Sequence, residues 1–80
     1  MNASDFASYA DMVAAALVSE TMAQPFYAWL RAKNARNTAE RDILRAGRRT
    51  HPGRTNYELL APHVKMLNAQ FPVHEWAPPV

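Results

Sequence analysis

Eighty residues without a cysteine make one small domain, with no room for a second core and no disulfide to support the first. Nearly half the residues are apolar and the net charge is only +2, which excludes a disordered polyelectrolyte and points to a folded helical chain. The longest apolar run, residues 12–18, is far short of the roughly 20 residues a membrane-spanning helix needs.

The stretch before that run carries Asp5 and Asp11 and no cation, the wrong sign for a secretion signal. A cytoplasmic protein with no membrane association is therefore expected. The spacing predicts a first helix over residues 5–22, with Phe6, Tyr9, Ala10, Val13, Ala16 and Leu17 on one apolar face and Ser4 or Asp5 as cap. Met12 and Val18 lie on a different side. Such a helix packs on two neighbours or on a second chain.

Gln24-Pro25 opens the next element, because proline suits a first helical turn. Phe26, Trp29 and Leu30, with Tyr27 beside them, form the densest aromatic cluster and the expected centre of the core. Ala35-Arg36-Asn37 reads as a break. Asn37 or Thr38 then caps a third helix, with Glu40 in the capping-box position. Ile43, Leu44 and Ala46 give that helix its apolar side, and Gly47 is placed to end it in a left-handed conformation.

His51-Pro52-Gly53 is a turn by composition. Thr55 opens the last helix, and Glu58 completes an S/T-x-x-E box. Tyr57, Leu60, Ala61, Val64 and Leu67 form its expected apolar stripe. Pro62 interrupts it, so the helix kinks or restarts near Ala61. Residues 71–80 hold three prolines and read as an extended tail, with Phe71, and Trp76 as a second candidate, folding back onto the body. The organisation is an N-terminal helix (1–23), a helical body (24–70) and a tail (71–80).

PFYAWL at 25–30 and HPGRTNYELLAPHV at 51–64 resemble the YozE-like family of small bacterial and phage domains. Phe26, Tyr27, Trp29 and Leu30 match its aromatic opening helix. Pro52, Thr55, Asn56, Tyr57, Glu58 and Leu59 match its closing box. His51 departs from the family's usual aromatic, and Pro62 interrupts the closing helix. The resemblance covers about residues 25–68. It implies a sterile-alpha-motif-like fold and carries over no catalytic residue. The expected architecture is all-α, a compact bundle of four to five short helices with a sterile-alpha-motif-like body and an added N-terminal helix.

Catalytic chemistry finds little footing. His51, His63 and His74 are too widely spaced for a metal site, and no metal or other cofactor is expected. Ser19 or Thr50 could be paired with a histidine only by assumption. With Gly47 and Gly53 the only glycines, no phosphate-cradling loop exists. The chain reads as a non-enzyme.

Charge is unevenly placed. Residues 31–65 hold all nine cations against three acids, while residues 1–30 hold three acids and no cation. Arg41, Arg45, Arg48 and Arg49 fall near one side of the third helix, and Arg54 follows the turn. The leading expectation is a protein-binding module, an adaptor or an inhibitor of a cellular or host protein. It would use these arginines, with Met12, Val18 and Trp76 as apolar anchors. A phage or mobile-element origin suits such a chain. The alternative is a small nucleic-acid-binding protein using the same basic segment. Counting against it, Asn34, Asn37 and Asn56 read as loop or cap residues and not as base readers. Self-association through the N-terminal helix is a third option. All three place the aromatics of the second helix and Tyr57 in one dry centre, with the cations turned outward.

Overall fold

The structure, a computed structural model, describes residues 1–76. Every regular element among them is helical. A short 3-10 turn (Ala3–Asp5) precedes α1 (Tyr9–Val18) and α2 (Glu20–Thr50). Then come α3 (Asn56–Leu60), a second 3-10 turn (Ala61–His63) and α4 (Val64–Gln70). The last three follow one another without a gap, so the described residues form three helical rods and not four to five short helices. The expectation of an extended tail over residues 77–80 lies outside the described residues.

The main departure from expectation is the 31 residues of α2. It starts five residues before Pro25, because Ser19 is the cap. Ser19 is extended, and its Oγ accepts a hydrogen bond from the Met22 N–H at 3.2 Å. Pro25 therefore sits inside the helix, buried, and does not open it. The expected break at Ala35–Asn37 is absent. Arg36 Nε donates to Glu40 Oε1 at 3.0 Å, an i,i+4 ion pair across the supposed gap. Thr38 Oγ1 donates to the Asn34 carbonyl at 3.1 Å. Glu40 is thus an ion-pair partner and not part of a capping box.

By its contacts the chain divides into two compact units, residues 1–32 with the tail from Val73, and residues 33–72. In the first, Ser8 and not Ser4 or Asp5 caps α1, its Oγ accepting from the Asp11 N–H at 3.1 Å. Asp5 works earlier, accepting the Asn2 N–H at 2.7 Å in the 3-10 turn. Met12 is wholly buried, whereas Leu17 is 84% exposed. Of the expected face, Phe6, Val13 and Ala16 are partly buried and Tyr9 joins the aromatic cluster, while Ala10 and Leu17 are exposed and Met12, placed on another side, is the buried centre. An alanine-rich helix is mildly apolar all round, so its periodicity selects no unique face. The long, flexible Met12 fills the gap. Tyr9, Phe26, Trp29 and Trp76 cluster with ring centroids 5.1 to 6.5 Å apart. Trp76 Nε1 donates to the Phe6 carbonyl at 3.1 Å, and Trp29 Nε1 to the His74 carbonyl at 3.4 Å. Trp76 therefore folds back, as the second candidate in the tail.

In the second unit Leu59 and Leu67 are the buried side chains. Tyr57 is 81% exposed, so the single dry centre joining it to the aromatics of α2 does not exist. Of the expected stripe of the last helix, Leu67 is buried and Leu60 partly buried, but Tyr57, Ala61 and Val64 are exposed and Leu59 packs in their place, and Gly47 explains why. It lies within α2 with no left-handed backbone. A Cβ built on it would meet Leu59 Cδ2 at 2.7 Å. Gly47 is a notch that receives Leu59, not a helix terminator. The helix stops three residues later, where the His51 N–H closes on the Gly47 carbonyl at 2.7 Å and Pro52 cannot continue the ladder. Pro62 acts as expected. The helix tightens into the 3-10 turn there and resumes at Val64.

Candidate functional site

The second half of α2 carries the basic face. Its packed side is formed by Arg36, Ala39, Glu40, Ile43 and Gly47, all partly buried. At about 100° of turn per residue, Asn34, Asn37, Thr38, Arg41, Arg45, Arg48 and Arg49 fall within about 80° of Arg41, on the opposite side. All seven are exposed. Glu40 and Asp42 flank that sector, each about 100° from Arg41, with Asp42 about 20° beyond Arg49. Leu44, half-buried at the sector's edge, is its one large apolar side chain.

Among the described residues Arg41, Arg45 and Arg49 have no carboxylate partner. Arg48 Nη2 donates to Asn56 Oδ1 at 2.6 Å, which orients its fork without neutralising it. Arg54 behaves differently. Its Nη1 donates to Glu58 Oε2 at 3.1 Å, so it has a carboxylate partner where Arg41, Arg45 and Arg49 have none. The Arg54 guanidinium, and then the Thr55 hydroxyl, hold the Glu58 carboxyl below the usual glutamate range. Thr55 Oγ1 also accepts the Glu58 N–H at 3.2 Å, so this part of the basic segment is a helix cap.

Of the apolar anchors, Met12 is a correction. It is 0% exposed and cannot meet a partner. Trp76 is half-buried, with its indole N–H already bonded and its ring against Tyr9, Trp29 and His74. Val18 is 82% exposed beside Leu17 and stays available.

Asn34 and Asn37 are candidate residues that sequence reasoning set aside. Both lie inside α2, not in a loop or at a cap. Among the described residues neither side-chain amide makes a hydrogen bond, whereas Asn56 and Asn68 accept from Arg48 and Arg36. The i, i+3, i+7 spacing of Asn34, Asn37 and Arg41 was the available signal. It was hidden by the supposed break between them.

A groove of about 670 Å³ also opens in this unit, lined in part by Asp42, Ile43, Gly47, His51, Leu59 and His63. No three metal-ligating side chains cluster among the described residues. No helix among them is long and apolar enough to cross a membrane. Comparisons with protein-family models, curated proteins and solved structures found no match to this chain.

Proposed function

We propose that the protein acts by binding and not by catalysis, and that its ligand is nucleic acid held on the exposed face of α2 from Asn34 to Arg49. One observation carries this reading: four arginines and two asparagines share a helix sector that holds no acid. A solvated helix face that only confers solubility mixes both signs of charge. A face meant for a protein partner has an apolar centre ringed by polar groups. This face has neither, and phosphate oxygens complement it.

The protein-docking reading, as adaptor or inhibitor, keeps one supporting observation, the exposed Leu17–Val18 pair at the end of α1. The sterile-alpha-motif-like body over residues 24–70 is likewise a proposal. The Thr55–Glu58 box supports its likeness to the YozE-like family, while the unbroken α2 leaves no separate opening helix.

Fluorescence anisotropy with a labelled duplex of about 20 base pairs tests the leading reading. Four phosphate contacts give a slope of log K against log salt near −3.6. Replacing Arg41 or Arg45 by alanine should lower the slope by about one each. Absence of binding at about 50 mM salt, or a slope near zero, would refute nucleic-acid binding.

A further inference from the structure

We infer that the nucleic acid is B-form DNA entered through its major groove, with Asn34 and Asn37 reading adenine. The inference rests on the nucleic-acid reading above and narrows it to one ligand class and two specificity residues.

Asparagine is a poor helix former, because its amide competes for backbone groups and so favours caps and turns. Two asparagines in the interior of α2, both exposed and with neither amide engaged among the described residues, return nothing to the fold. The cost of placing them there makes sense where the amides meet something outside the chain. An amide that offers a donor and an acceptor side by side matches the N6 and N7 edge of adenine.

The alternatives within nucleic acid fit less well. Single strands are gripped by stacking on aromatic rings, and no aromatic residue lies in this sector. The major groove of A-form RNA is too narrow for side chains on a helix to read. The B-form major groove is about 12 Å wide and admits a helix about 10–12 Å across. Asn34 and Asn37 are separated by about 4.5 Å along the helix axis, close to the roughly 3.4 Å step between base pairs. Arg41 continues the line one turn on and supplies a phosphate contact. Arg45 and Arg49 turn progressively toward one wall of the groove, where phosphates lie. Arg48 is oriented by Asn56 at 2.6 Å.

The experiment is a binding selection from duplexes with a randomised centre, followed by anisotropy on the recovered duplex and on a scrambled one. Wild-type protein should recover a motif containing adenine. It should prefer that motif over the scrambled duplex by roughly 5- to 150-fold for each base read. Asn34→Ala and Asn37→Ala should abolish the preference and leave the salt slope unchanged, since neither removes a charge. Arg41→Ala should weaken binding to both duplexes. Circular dichroism of each variant checks that the helices persist.

Salt-dependent binding without recovery of a motif would overturn the adenine reading and leave the nucleic-acid reading standing. Tighter binding to single-stranded DNA or to RNA of the same sequence would overturn the choice of ligand in the same way. Absence of binding to every nucleic acid offered would overturn both.

Discussion

Gly47 shows how one residue can carry a meaning its type does not announce. A glycine near the middle of a basic segment invites the role of helix terminator. Its actual role is to lack a Cβ where Leu59 arrives. Alanine there would gain about 1 kcal/mol in helix propensity. It would also overpack Leu59, at a cost of about 1–3 kcal/mol. Gly47→Ala is therefore expected to be no more stable than wild type in urea denaturation. In a Leu59→Ala background the same change should be stabilising, because the opposing atoms are gone. A stabilising effect in both backgrounds would refute the notch. Glu58 gives a second test at this scale. Its folded-state pKa is depressed, so its contribution to stability is present above the unfolded value of about 4.5. That contribution fades as pH falls through the lower folded value. A side-chain NMR titration should show a midpoint below that of free glutamate. Arg54→Gln should raise it, and an unmoved midpoint would deny the Arg54 contact its role.

Continuity of α2 is the decisive element-scale feature, since it turns Asn34 and Asn37 from presumed loop residues into members of a face. Its two halves were legible as helix from their periodicity. Their junction was not, because Ala35-Arg36-Asn37 breaks the apolar pattern without breaking the backbone. The ladder crosses it with help from the Arg36–Glu40 pair and the bond from Arg36 Nη1 to Asn68 Oδ1 at 2.8 Å. The sequence could not reveal that last partner, 32 residues away. Ala35 is exposed, so Ala35→Gly tests the point cleanly. Within a helix it should cost about 1 kcal/mol; in a loop it should cost nothing. Chemical denaturation distinguishes the two. The Thr55–Glu58 cap and the 3-10 turn at Pro62 were readable in advance, because both depend on residues within four positions of one another.

Among the described residues, few side chains are fully out of water. Met12 and Leu67 are the large residues with essentially no exposure among those described. Small domains have total stabilities of about 5–15 kcal/mol. Leu67→Ala, at about 2–5 kcal/mol, should therefore remove a large share of the margin. Tyr57→Ala, at a residue the sequence placed in the core, should stay within about 0.5 kcal/mol. Thermal unfolding of the two variants would show the contrast, and the reverse order would refute the observed burial. The sequence by itself determined the helical class, the Thr55–Glu58 cap, the effect of Pro62 and the uneven placement of charge. Each follows from neighbours along the chain or from counting. Only the tertiary structure decided which face of each helix is dry, that α2 runs unbroken, and that two asparagines stand among its arginines. Those depend on distant partners: Leu59 for Gly47, Asn68 for Arg36, and Trp76 for the aromatic cluster. An alanine-rich, arginine-rich sequence has several faces apolar enough to bury, and contact between remote residues chooses among them.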